Sequence, residues 1–246
     1  MKAMILAAGL GTRLQPLTND RPKALVVVAG RTLLEIALTR LYSFGVTDVI
    51  VNTHHRSDMI AEYLKAHDNF GMRIEISHEQ DLLDTGGGLK NAAPFFLEGV
   101  NIDHPFILYN VDVISTIDLG AMMRFHVQKG ALATLAAQIR DSSRYLLFDE
   151  EGQLCGRRVA NRSDELFRPA HIVQSLAFSG IHVLSPRIFN AMKERGAFSI
   201  IDAYLRLAAQ GEKLVAYNAD GSYWRDLGRP ESLQEAARDL AAGKFS

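Results

Sequence analysis

Short apolar runs alternate with helix-periodic segments through the first half of the chain, and this alternation limits the fold more than any other feature. "KAMILAA" reads as a buried strand. "TLLEIALTRLYSFG" sets Leu33, Leu34, Ala37, Leu38 and Leu41 at helical spacing and stops at Gly45. "TDVIVNT" is a strand, and "SDMIAEYLKAH" a helix with Ser57 or Asp58 as its N-cap. "MRIEISHE" alternates as a strand, and "GGGLKNAAPFF" reads as a glycine-rich entry into a short helix. "PFILYNVDV" is a strand that stays apolar until Asn110 and Asp112. "DLGAMMRFHVQKG" is a helix starting near Asp118 and ending at Gly130, and "ALATLAAQI" is a strand. Strands this apolar must be covered on both faces, which predicts an α/β fold with a mostly parallel sheet between helices. Ligands of such sheets gather at the carboxyl ends of the strands. Residues 9–13, 52–54, Glu79 and 110–112 then share one rim.

The second half changes character. "YLLFDEEGQLCGRR" is a hairpin around Glu151-Gly152, "NRSDELFRPAHIV" a polar loop, and "QSLAFSGIHVLSP" a strand ending at Pro186. "FSIIDAYLRLAAQG" is a helix stopped by Gly211. "KLVAYNA" and "SYWRDL" are short strands. "RPESLQEAARDLAAG" is a helix with Pro230 in its first turn. With no linker or repeat, residues 1–246 read as one domain whose second part is a substrate-covering elaboration.

Composition narrows the partners. The 246 residues are 48% hydrophobic, enough for a large core. Twenty-seven basic and 28 acidic residues leave a net charge of −1, so no basic field points to nucleic acid. One cysteine, Cys155, excludes an internal disulfide and a cysteine-built zinc site, and it reads as a small semi-buried side chain. The apolar stretch from Met4 to Ala8 is too short for a signal peptide, and nothing approaches the roughly 20 apolar residues of a membrane span. The expectation is a soluble, cytoplasmic protein.

The first strand leads into "GLGTRLQPLTNDRPK". A dinucleotide fingerprint needs a third glycine where Leu14 stands, and a P-loop needs a Lys-Ser/Thr pair that is missing. Two glycines still let backbone N–H groups approach anionic oxygens. Arg13 adds a planar charged fork and Lys23 a second cation behind the restricted Arg21-Pro22 step. An ordinary glycine turn with two solvated cations is the alternative.

As a whole, Gly9, Gly11, Thr12, Arg13, Pro22 and Lys23 resemble the G-x-G-T-R…P-K loop of the sugar-1-phosphate nucleotidyltransferases, and the resemblance extends over nearly the whole chain. It implies a Rossmann-like mixed sheet with helices on both faces and a smaller sugar-side β/α elaboration. Residues 1–140 would then bind nucleotide and 141–246 sugar. The implied reaction joins an NTP to a sugar 1-phosphate, giving an NDP-sugar and pyrophosphate with Mg2+. Arg13 would hold the β,γ-phosphates and Lys23 the phosphate at the reacting centre. Asp112 matches the first metal carboxylate, although Val111 replaces a common glycine. Asp226, in "YWRDLGRPE", matches the D of W-x-D-x-G, with a cap near Pro230 as its other reading. Asp118 looks like a helix cap.

By the same resemblance Leu6, Ala8, Gly9, Gly11, Thr12 and Asn110 line the nucleotide, and Glu79 falls near the base edge. "LLDTGGG" stands where the family has L-G-T-A-G, so Thr85, Gly86 and Gly87 would lie against base or ribose. This variant is similar to uridylyltransferases acting on N-acetylmuramic acid 1-phosphate in peptidoglycan recycling. Ser179 and Gly180 match a turn beside the sugar, with a β-bulge in a core strand as the alternative. The family's sugar-phosphate lysine is missing, because residues 131–180 contain no lysine. Arg157 or Arg158 is the expected replacement, with Arg158 the residue assigned. His54 and His55 are adjacent and show no metal-binding spacing. Mannose-1-phosphate guanylyltransferase is the competing activity. A non-catalytic nucleotide-sugar sensor is the reading from another class.

Overall fold

The computed structural model describes residues 1–98, 104–160 and 162–245. Its strands in chain order are β1 (Lys2–Leu6), β2 (Val27–Val28), β3 (Arg31–Thr32), β4 (Asp48–Thr53), β5 (Arg73–His78), β6 (Phe106–Asn110) and β7 (Val113–Ser115). They continue as β8 (Ala133–Gln138), β9 (Arg144–Phe148), β10 (Leu154–Val159), β11 (Glu165–Leu166), β12 (Gln174–Leu184), β13 (Leu214–Asn218) and β14 (Trp224–Asp226). The helices are α1 (Leu33–Ser43), α2 (Ser57–Ala66), α3 (Asp84–Asn91), α4 (Ala93–Leu97), α5 (Leu119–Lys129), α6 (Ile188–Ala191), α7 (Ile200–Ala209) and α8 (Pro230–Ala241). Contacts divide the described chain into two units. The first contains residues 1–84, 108–117 and 222–245, and the second contains the rest.

In the first unit β1 pairs with β4 and β4 with β5, all parallel, and the Asn110 end of β6 lies beside β1. Ala3, Met4 and Ile5 are fully buried, as an all-apolar strand requires. Helix α1 buries the five residues its periodicity selects. Its Thr32 hydroxyl accepts from the Glu35 N–H at 3.1 Å, so Thr32 is the N-cap, and Gly45 beyond the end is left-handed (φ 78°). At α2 the sequence expectation fails. Arg56, left-handed at φ 56°, is the N-cap instead of Ser57 or Asp58. Ser57 is engaged with the Thr53 hydroxyl at 2.7 Å, and the Arg56 guanidinium reaches the carbonyls of Asn19 (2.7 Å) and Asp20 (2.8 Å). Two small ribbons complete the unit, the hairpin β2–β3 and the antiparallel pair β7–β14 with Val113 opposite Asp226.

The second unit is mostly antiparallel. β9 pairs with β10 and β12, and β8 with β12, while β13 joins β8 in parallel. Gly152 turns the β9–β10 hairpin at φ 74°, as expected. The expected polar loop is only partly one: Glu165 and Leu166 form β11 against Arg157 and Gly156, while Asn161 lies outside the described residues. Asp118 caps α5, accepting from the Ala121 N–H at 2.8 Å, and so serves as the helix cap it resembles. Cys155 is buried, its thiol donates to the Leu147 carbonyl, and burial pushes its pKa up. Parallel and antiparallel strands with flanking helices make this a Rossmann-like mixed α/β fold. Among the described residues no helix is long and apolar enough to cross a membrane.

Two histidines of this unit are buried and neutral. His126 bonds the Thr134 hydroxyl through Nδ1 at 2.9 Å, and burial, aided by Arg187, lowers its pKa to about 4. His182 bonds the Tyr204 hydroxyl at 2.8 Å, and burial lowers it to about 3. In the unfolded chain both titrate near 6.5. Below that pH the unfolded state takes up protons that the folded state refuses, so stability falls as pH falls from about 6.5 to about 4. Each histidine contributes a slope of about 1.4 kcal/mol per pH unit in this window. Denaturant unfolding of the His126→Asn variant is expected to show a pH dependence shallower by one such share than that of the parent.

Candidate active site

The chain leaves β1 at Leu6, and the next N–H, that of Ala7, donates to Asn52 Oδ1 at 2.7 Å. Ala8 is buried and Gly9 exposed. Gly11 is left-handed at φ 66°, and a Cβ there would stand 3.0 Å from both Lys23 Cβ and Thr18 Cγ2. Only glycine combines that backbone with that proximity. The Thr18 hydroxyl donates to the Gly11 carbonyl at 3.0 Å. The two ends of the glycine–lysine segment therefore meet. Thr12 and Arg13 ride exposed on one 3-10 turn (Thr12–Leu14), and Lys23 opens another (Lys23–Leu25) behind the extended Pro22.

Lys23 Nζ forms an ion pair with Asp112 Oδ2, each side chain only 13% exposed. Asp112 lies between β6 and β7, where Val111 N–H donates to the Leu6 carbonyl at 3.2 Å. The Tyr109 hydroxyl donates to the Val113 carbonyl at 3.1 Å, and burial pushes its pKa up, so it remains a donor. The Asp112 carbonyl accepts from Leu227 N–H at 2.8 Å, which joins the Asp112 turn to the end of β14. There the Asp226 carboxylate accepts from Gly228 N–H at 2.7 Å. A Cβ on Gly228 would stand 2.7 Å from Asp226 Oδ1 and 2.9 Å from Arg13 Nη2. Gly228 is thus the floor on which a carboxylate and a guanidinium both rest. The structure brings Arg13, Lys23, Asp112 and Asp226 together within the first unit, although more than 200 residues separate the first from the last.

Both carboxylate oxygens of Glu79 are engaged within the protein. The residue is 2% exposed. Asn52 Nδ2 donates to its Oε1 at 2.7 Å, and Leu83 N–H to its Oε2 at 3.0 Å. Its N–H donates to the Thr53 carbonyl at 2.7 Å, and His54 Nδ1 lies 2.9 Å from its carbonyl. Asn52 and Glu79 therefore form a buried bridge from the residue after β1 to the segment before α3. Each polar atom of the bridge has a partner, as burial demands. The sequence signal for Asn52 is a polar residue closing the apolar run "DVIVN".

The remaining expected residues belong to the second unit. Gly86 and Gly87 sit in the first turn of α3, the short helix the glycine run is expected to open. A Cβ on Gly86 would lie 2.3 Å from the Phe198 ring, and the N–H groups of Gly86 and Gly87 donate to the Phe198 carbonyl at 2.9 and 3.4 Å. The Thr85 hydroxyl accepts from Ile200 N–H at 3.0 Å at the start of α7. Ser179 is fully buried, donating to Gln138 Oε1 at 3.3 Å, and Gly180 has φ 73°. The β12–β8 register slips between Phe178 and His182, so these two residues occupy a bulge, which was the alternative reading. Arg158 forms a two-pronged pair with Asp164 at 2.5 and 2.7 Å. Arg157 pairs with Glu165 at 2.5 Å and Asp202 at 2.7 Å. Asn110 is half-buried at the end of β6.

Chemically, the first unit offers two cations for phosphate oxygens and two carboxylates on adjoining segments. Among the described residues no group of three or more His, Cys, Asp or Glu gathers to form a complete metal cage. A pair of carboxylates completed by substrate phosphates is the donor set Mg2+ commonly takes.

A nucleotidyl transferase family model matches residues 2–243. The chain is 35% identical to N-acetylmuramate alpha-1-phosphate uridylyltransferase of Caulobacter vibrioides, over 97% of this chain and 96% of that one. It is 32% identical to mannose-1-phosphate guanyltransferase beta-B of Xenopus laevis, over 95% of this chain but only 62% of the longer relative. Among solved structures, a UDP-glucose pyrophosphorylase complexed with UDP-glucose superposes with a TM-score of 0.78 at 19% identity, covering 98% of both chains. A putative glucose-1-phosphate thymidylyltransferase from Bacillus anthracis gives 0.78 at 22% identity, over 97% of this chain and 94% of its own. The shared fold, the match along nearly the whole length and the charge arrangement of the first unit agree: this chain belongs to the nucleotidyl transferase family and is a sugar-1-phosphate nucleotidyltransferase.

Proposed function

We propose that the protein joins UTP to N-acetylmuramic acid 1-phosphate, releasing pyrophosphate and UDP-N-acetylmuramic acid, with Mg2+. The observation that carries this reading is the 35% identity to the Caulobacter uridylyltransferase along essentially the full length of both chains. The guanyltransferase relatives extend well beyond the region they share with this chain. A place in peptidoglycan recycling, in the cytoplasm, follows from the same reading.

An oxygen of the sugar phosphate attacks the α-phosphorus, a new P–O bond forms, and the bond to the β-phosphate oxygen breaks. Proteins accelerate such transfers by positioning and charge neutralisation. Arg13 takes the β,γ-phosphates, and its fork follows them as pyrophosphate leaves. Lys23, resting on Asp112, is placed to meet the phosphate at the reacting centre. Asp112 and Asp226 would hold Mg2+, which when bound would screen the phosphate oxygens and stabilise charge on the leaving group. Leu6, Ala8, Gly9, Gly11, Thr12 and Asn110 shape the nucleotide side by backbone approach. Glu79 acts there by ordering the segment after β5. Residues 1–140 serve the nucleotide and 141–246 the sugar, except that Asp226 returns to the reacting centre. Thr85, Gly86 and Gly87 act through α3, Ser179 and Gly180 shape the sugar side through the β12 bulge, and Arg158 serves the sugar phosphate. Sugar-phosphate binding at Arg158 requires the ligand to replace Asp164 as its partner.

A turnover panel of UTP, GTP, dTTP and CTP against several sugar 1-phosphates tests the substrates. The expected best pair is UTP with N-acetylmuramic acid 1-phosphate. Turnover only with GTP and mannose 1-phosphate would overturn it. Asp112→Ala and Asp226→Ala are each expected to lower pyrophosphate release by at least about 100-fold with unfolding transitions retained. Full activity in both would remove the carboxylates from the mechanism. Gly228→Ala is expected to leave the fold intact and to cost at least about tenfold in kcat/KM, because the new methyl displaces the ends of Arg13 and Asp226. Steady-state kinetics beside thermal melts reads both quantities.

A further inference from the structure

Asp226 sits on β14, a strand of three residues paired only with β7, itself of three residues. A two-stranded ribbon this short has little stability of its own. Something else must fix the Asp226 carboxylate, and β14 carries its own fastening one residue earlier. Side chains alternate along a strand, so Arg225 points to the face opposite Asp226. Arg225 forms an ion pair with Glu235 of α8, and its Nη2 donates to Asp239 Oδ2 at 2.6 Å. The Tyr223 hydroxyl donates to the same Oδ2 at 2.9 Å, and Lys244 Nζ to Oδ1 at 2.7 Å. Asp239 is 7% exposed, a carboxylate held by three donors from both sides of the ribbon–helix junction. These donors, Lys244 foremost, hold its pKa well below the usual carboxylate range. Helix α8 also packs against β2, the strand that follows the Lys23 turn. One helix thus sets both the strand bearing Asp226 and the segment after Lys23.

We propose that Arg225 and Asp239 are positioning residues for Asp226, holding its carboxylate where a divalent cation bound with nucleotide can be ligated. The proposal rests on the reading of Asp226 as a cation ligand. Groups that orient a metal ligand commonly change metal affinity by 10–100-fold when removed. A residue that only stabilised α8 would lower the melting temperature and leave the metal dependence alone.

The test compares Asp239→Asn, Arg225→Lys, Glu235→Gln and Asp226→Ala in the full chain. Its readouts are the Mg2+ concentration for half-maximal turnover, Mn2+ binding by electron paramagnetic resonance with UTP present, and UTP binding without metal. Asp239→Asn is expected to raise the Mg2+ midpoint and weaken Mn2+ binding by at least about tenfold, with metal-free UTP binding unchanged. Arg225→Lys, which keeps the charge and loses the fork, is expected to fall between Asp239→Asn and the parent. Should Asp239→Asn fail to fold by circular dichroism, Glu235→Gln decides the matter with a smaller shift in the same direction. An unchanged Mg2+ midpoint and unchanged Mn2+ affinity in the folded variants would overturn the proposal. Asp226→Ala separates the two layers. If it leaves Mn2+ binding intact, the ligand reading falls and the proposal falls with it. If it abolishes binding while Asp239→Asn leaves the Mn2+ affinity and the Mg2+ midpoint unchanged, only the positioning role falls.

Discussion

The hydrogen bond from Leu227 N–H to the Asp112 carbonyl, with the three-residue ribbon it extends, is the joint on which the site depends. It places the segment holding Asp226 and Gly228 beside the turn holding Asp112. The parallel strands put the Arg13 loop and the Asp112 turn at neighbouring strand ends, because β1 and β6 are adjacent. They contribute nothing to the position of Asp226. Without the β7–β14 pairing the charge cluster would have two cations and one carboxylate. Beside this short ribbon two carboxylates of α8, Glu235 and Asp239, converge on Arg225, the residue before Asp226.

Close approach is the second theme of the first unit. Gly11 is pressed against the root of the Lys23 side chain, and Gly228 lies beneath the ends of Asp226 and Arg13. Both glycines let the chain come near a charged side chain. The buried Asn52–Glu79 bridge supplies the opposite property. Its fully satisfied hydrogen bonds hold the residue after β1 and the segment before α3 at fixed separation. Glycine admits the charged side chains, and a polar bridge ties Ala7 to Leu83.

Much of this was legible from residue pattern. The apolar runs located β1, β4 and β6, and helical spacing located α1 to its buried residues. The glycine–arginine–lysine string marked the loop because its chemistry is compressed into residues 9–23. What escaped was long-range. Nothing near Glu79 in the sequence says that Asn52 will take one of its oxygens and Leu83 the other. The glycine run at residues 86–88 reads as the entry to a short helix, but nothing in it says that the Phe198 ring will fill the space of a Gly86 side chain. Arg157 and Arg158 read as spare cations until β11 and α7 bring Glu165, Asp164 and Asp202 to them. Local rules describe elements well, but they do not say which distant group will occupy a side chain.

The first unit is also discontinuous, and this has a consequence for biosynthesis. Residues 1–84 wait for residues 222–245 before their unit is complete. At synthesis rates of about 5–20 residues per second, Lys23 leaves the ribosome on the order of ten to forty seconds before Asp226 does. During that interval the parallel strands can pair, but the nascent chain holds an incomplete charge cluster lacking Asp226, Gly228 and α8. The four charged groups of the first unit therefore come together late, when β14 pairs with β7, and not as the parallel strands form.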